Sequence, residues 1–223
     1  MRTDHSLDAM LRRSDELEAT LLLLLNDAVY GGSRRTEGCL TSCSLAMEHA
    51  TSLRALMTMG FATSAACLMR LQFEALTRAM WLLYAASDAA IEKLLAPLNI
   101  VNEQVAKNMP SVSEMIDQIG KQVPARAPAA AHQMLSTFKE TSWRAMNSFV
   151  HGGIHSLRRH ADGFPVNLAI DVLRNSNALV TMTAMTLAVL TGDEAITKPV
   201  QRVQFDFADC FPPLLAHAPS KAI

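Results

Sequence analysis

Between Ala62 and Ala86 the chain runs for 25 residues with only three charges, Arg70, Glu74 and Arg78. At about 100° per residue, apolar side chains take up nearly every direction around such a helix, so it has no face suited to water and must be covered on all sides. This requirement predicts a central buried helix at about 62–86 on which the remaining helices pack. Its charges fall at i, i+4 and i+8. Buried charges are costly unless paired, and this spacing lets Glu74 pair with either arginine along its own helix. Glu74 is therefore expected to be buried in a structural ion pair. Two cations share one carboxylate, so Arg70 or Arg78 is left over to face an anion.

Periodic apolar positions predict further helices at about 5–29, 39–59, 129–151 and 166–191, the second preceded by a polar loop, SRRTEG. Prolines at 97, 110, 124 and 128 break the pattern between 87 and 129, where Ser111 and Glu114 form a capping-box start, and this stretch reads as an irregular insertion or lid. Four prolines between 199 and 223 predict an irregular tail. No segment alternates as a strand would. The expectation is an all-α chain, one helical domain over 1–223 with its core at about 39–191. It is a bundle of about four to five long helices with a proline-broken excursion. With 50% hydrophobic residues and only 9 Gly and 9 Pro, there is ample material for that core.

Twenty Lys and Arg against 21 Asp and Glu give a net charge of −1, which excludes a general polyanion binder with an all-basic surface. Any nucleic-acid contact must be local. Cys39, Cys43, Cys67 and Cys210, with no secretory leader at the N-terminus, point to free thiols and a cytoplasmic location. Two uncharged stretches are read as core rather than membrane spans. Residues 55–69 are shorter than the roughly 20 needed to cross a bilayer, and residues 175–192 carry Asn175, Ser176, Asn177 and four threonines.

The stretch TSWRAMNSFVHGG, residues 141–153, holds the candidate chemistry. On a helix, Arg144, Asn147, Ser148 and His151 share one arc, while Leu135, Phe138, Met146, Phe149 and Val150 lie on the opposite side. Gly152 and Gly153 then end the helix. Imidazole can move a proton at neutral pH, guanidinium can hold phosphate oxygens, and an amide can orient a hydroxyl. His151, Arg144 and Asn147 are accordingly the candidate catalytic set for a phosphodiester. No acidic residue lies between Thr141 and Ala161, whereas Arg144, His151, His155, Arg158, Arg159 and His160 do. His155, Arg158 and Arg159, with Arg70 and Arg78, are therefore the candidate substrate-binding residues. An ordinary solvated helix face would use the same residue types. No metal or other cofactor is expected: the glycine pair separates His151 from His155, and there is no Glu-x-x-His pair.

Two segments, ACLMRLQFEALTRAMWLLY at 66–84 and WRAMNSFVHGG at 143–153, together resemble an uncharacterised group of bacterial helical proteins in which an Arg/Glu-bearing apolar helix precedes a helix ending in histidine. That group is similar to the HEPN superfamily, whose helical bundles carry Arg, four to six residues, then His near a helix end. Six residues lie between Arg144 and His151, and the resemblance spans about residues 39–191. For ribonuclease members it implies a dimer that joins two Arg/His sets at one cleft and cuts RNA without metal, often in phage defence or beside an antitoxin. The chain departs from the pattern at Ala145, where active members carry a polar residue, and Asn147 is the group expected to serve instead.

Two function classes follow. One is a metal-independent endoribonuclease, homodimeric, acting on RNA, with an antitoxin or other protein partner. The other is a non-catalytic helical interaction or ligand-binding protein whose same face meets solvent or a partner. The almost uncharged helix at 166–191 adds to the dimer expectation, since it needs cover from its own bundle or from a second copy.

Overall fold

The computed structural model describes residues 5–213, and these form α-helices and one 3-10 turn with no strand among them. The helices are α1 (His5–Leu24), α2 (Arg34–Thr58), α3 (Ala62–Tyr84), α4 (Asp88–Leu94), α5 (Ile100–Ala106), α6 (Val112–Gly120), α7 (Ala129–Val150), α8 (Ile154–Asp162), α9 (Val166–Thr191) and α10 (Glu194–Asp206), with the 3-10 turn at Ala208–Cys210. The all-α class stands. Among the described residues there are ten helices, where four to five long ones were expected; five reach 20 residues, α4 to α6 lie in the stretch expected to be irregular, α10 runs into the expected tail, and α8 follows the glycine pair.

The charge-poor helix α3 sits at the centre, packed against α2, α6, α7 and α9. Ala65, Ala66, Phe73, Leu76, Trp81 and Leu82 are buried along its length. Trp81 satisfies its indole N–H inside this core by donating to Gln118 Oε1 at 2.7 Å. Helix α2 starts five residues earlier than expected, because Ser33 accepts from Thr36 N and draws the SRRTEG stretch into its first turns. From there Arg35 donates to the carbonyls of Leu82 and Ala86, groups at the end of α3 that lack an intrahelical partner.

The proline-rich excursion is not irregular. Each proline-bounded piece carries its own N-cap: Ser87 for α4, Asn99 for α5, and Ser111 with Glu114 as a reciprocal capping box for α6. Helix α6 buries Met115, Ile116 and Ile119 against α3 and α7, so it belongs to the bundle and is not a lid. The tail expectation fails for a similar reason. Asp193 caps α10, the helix accommodates Pro199, and Val200, Val203 and Phe207 bury one face. The last ten residues of the expected tail, 214–223, lie outside the described residues.

Helix α9 is covered by α1, α2, α3 and α10 of the same chain, so its apolar girth finds cover without a second copy. Its uncharged polar residues bridge neighbouring helices. Ser176 and Gln72 exchange two hydrogen bonds of 2.8 and 3.0 Å, and Asn177 donates to Ser14 Oγ and the Cys210 carbonyl. Among the described residues no helix is long and apolar enough to cross a membrane.

Candidate functional site

Where α3 and α7 cross, two side-chain ladders of helical spacing face each other: Arg70 and Glu74 on α3, and Trp143, Asn147 and His151 on α7. Arg70 joins them. Its Nε donates to Glu74 Oε1 at 2.7 Å, and its Nη1 donates to Asn147 Oδ1 at 2.5 Å and meets His151 Nε2 at 2.9 Å. The guanidinium carbon lies 4.6 Å from the centre of the Trp143 ring, a cation–π placement. Trp143 in turn meets Phe73 edge-on at 6.3 Å, and Phe73 packs on Phe138, so the polar cluster rests on an aromatic floor. Cys67 adds a second tie, donating to the Phe149 carbonyl near the end of α7.

The turn after α7 sets how His151 is presented. His151 is the C-cap and is exposed, Gly152 adopts φ +64°, a left-handed conformation open to glycine at little cost, and Gly153 begins the entry to α8. A Cβ at Gly153 would lie 2.6 Å from Ser148 Oγ, so only glycine fits without displacement. Ser148 uses that closeness: its Oγ accepts from the His155 backbone N–H at 3.0 Å, and its carbonyl accepts from Gly153 N at 2.7 Å. Thus Ser148, on the same arc as Asn147 and His151, supports the turn and the start of α8 rather than the cluster.

The structure brings together four of the residues expected from sequence, Arg70, Glu74, Asn147 and His151. Glu74 does pair with arginine, but its side chain is 26% exposed rather than buried. Arg70 is its partner. Arg78 makes no ion pair with it, and the Arg78 Nε is buried without a hydrogen-bond partner. Arg144 is exposed on the same arc of α7, with no ion pair or hydrogen bond among the described residues. Two of the expected substrate-binding residues are drawn elsewhere. His155 is half-buried with its ring 5.9 Å from that of Phe149 and a buried, unpartnered Nδ1, because α8 turns it toward the core. Arg158 pairs with Asp162 at 2.7 Å, the acid that follows the acid-free stretch, and helix α8 aligns the two at i, i+4. Arg159 is half-buried and makes no ion pair among the described residues.

Sequence reasoning missed Trp143. The signal was present as an i, i+4, i+8 ladder, Trp143–Asn147–His151, that matches the Arg70–Glu74–Arg78 ladder in period. Chemically, the cluster offers a fixed cation, an amide and an accessible imidazole within one hydrogen-bonded set. Among the described residues no three His, Cys, Asp or Glu side chains converge to hold a metal ion. Two surface depressions, one along α2 at Leu40, Ser44 and Glu48 and one between α1 and α10 at Thr20, Pro199 and Phe205, include no residue of the cluster.

No curated protein and no solved structure matches this chain. Residues 43–213, which include every member of the cluster, match the model of a family of unknown function, DUF6988, and the chain belongs to that family.

Proposed function

We propose that the protein is a metal-independent endoribonuclease of HEPN type. In this reading His151 is the general acid/base, Arg70 and Arg144 hold the scissile phosphate, and Asn147 orients the attacking 2′-hydroxyl. The observation that carries it is the convergence of Arg70, Asn147 and the exposed His151 on one hydrogen-bonded cluster. The 2′-hydroxyl proton passes to His151, the 2′-oxygen bonds to phosphorus, and the P–O5′ bond breaks. In a homodimer that joins two clusters at one cleft, the imidazolium of a second copy supplies the proton to the leaving 5′-oxygen. The setting is cytoplasmic, in phage defence or beside an antitoxin.

Labelled RNA incubated with purified protein and a chelator tests this directly. Wild type should cleave, His151→Ala should lose about 10² to 10⁴ in rate, and light scattering should give a dimer mass. Wild-type protein that cuts no RNA and is harmless when overexpressed overturns the reading.

One observation favours a second reading, a non-catalytic helical interaction protein. Arg70 already has a carboxylate and an amide as partners, and the same bonds tie α3 to α7. Under that reading the His151 and Arg144 substitutions change partner binding and leave RNA intact.

A further inference from the structure

Arginine only donates hydrogen bonds. The 2.9 Å contact between Arg70 Nη1 and His151 Nε2 therefore requires a lone pair on Nε2, with the ring proton of neutral His151 on Nδ1. In that form neither nitrogen can take a proton from a hydroxyl: Nδ1 has one already, and the lone pair of Nε2 is engaged. Arg70 is fixed from several sides, by Glu74 at Nε, by Asn147 and His151 at Nη1, and by the Trp143 ring beneath it. Its Nη2 has no acceptor among the described residues and is not sealed from solvent. Arg144 stands exposed on the same arc of α7, with no acid paired to it.

We propose that Arg70 gates His151: the guanidinium holds the Nε2 lone pair while the site is empty, and a phosphodiester oxyanion arriving at the open Nη2 edge draws Arg70 away and frees Nε2 as the proton acceptor. The ionised phosphate is a stronger acceptor for a guanidinium than a neutral ring nitrogen, which gives the exchange its direction. Glu74 limits the movement to a rotation about the bond it holds, and Arg144 receives the other phosphate oxygens. This inference rests on the ribonuclease reading for the identity of the substrate and on the geometry alone for the exchange.

Long-range proton–nitrogen NMR of the imidazole rings tests it, with the His151 signals assigned by their loss in His151→Gln. At mildly alkaline pH, free wild-type protein should show a protonated Nδ1 and a lone-pair Nε2 for His151. Titration with inorganic phosphate, and separately with a dinucleoside monophosphate lacking the 2′-hydroxyl, should move the Nε2 resonance. In Arg70→Ala the ring should adopt the Nε2–H form favoured by unconstrained imidazole and respond to neither anion. Arg70→Gln replaces that variant if it fails to fold, and should also lose the anion response.

A protonated Nε2 in free wild type, an unmoved resonance at millimolar anion, or an equal response in the Arg70 variants each overturns the gate. A response to inorganic phosphate but not to the dinucleoside monophosphate overturns the phosphodiester assignment. If the NMR behaves as expected while RNA stays intact, the ribonuclease reading falls and the anion-driven exchange stands.

Discussion

Two arginines on adjacent helices show how partner number separates a sealed contact from an open one. Arg54 of α2 is buried against α1, where it meets two carboxylates, Asp15 at 2.9 Å and Glu18 in closer contact. Burial pushes its guanidinium below the ordinary arginine range, with Asp15 acting in the other direction. Arg70 of α3 has one carboxylate, an amide and an imidazole, and its side chain keeps 16% of its exposure. A cation matched by two anions, with its remaining Nη1 buried away from solvent, presents no open edge to a ligand. A cation matched by one anion and two neutral groups, with an edge in solvent, can accept another. The first arrangement joins helices, while the second joins helices and leaves a site.

The largest effect that tests this contrast is on stability at Arg54. Arg54→Ala leaves Glu18, whose side chain is 13% exposed, without its cation and should cost about 3 kcal/mol, read as a lower denaturant midpoint. An unchanged midpoint would remove the distinction between the two arginines. Glu74→Ala should cost less, about 1 kcal/mol, because water reaches the Arg70 cluster and screens the charge left behind. A loss as large as that at Arg54 would show that the cluster closes in solution. Arg144→Ala and His151→Ala should change stability by no more than about 0.5 kcal/mol, since both side chains are exposed and no core volume is removed. Thermal unfolding of the two variants checks this, and a marked drop in midpoint for either would place that side chain in the packing rather than at the surface.

Much of the fold could be read from local pattern. The spans expected at 62–86, 129–151 and 166–191 agree with α3, α7 and α9 to within two residues at each end, because apolar period and flanking Pro or Gly act within a few turns. The end of α1 and the start of α2 were each displaced by five residues, and the larger errors came where prolines dominated. Short helices α4 to α6 and α10 depend on single capping side chains and on burial against distant elements, and a count of prolines registers neither. At the site, sequence identified Arg70, Asn147 and His151 as chemically capable and Glu74 as a structural ion-pair partner. It paired His151 with Arg144 because the two share a helix.

By itself, then, the sequence determined an all-α chain, a helix that had to be central because three charges in 25 residues leave it no wet face, and a polar arc ending at His151. Tertiary structure alone decided which cation meets that histidine. Arg70 lies 81 residues away and reaches Nε2 only because α3 and α7 cross there with their ladders in register. Helical periodicity assigns each side chain a direction around its own axis. The group it meets is set by how two axes pack, and that depends on the apolar contacts of the whole bundle.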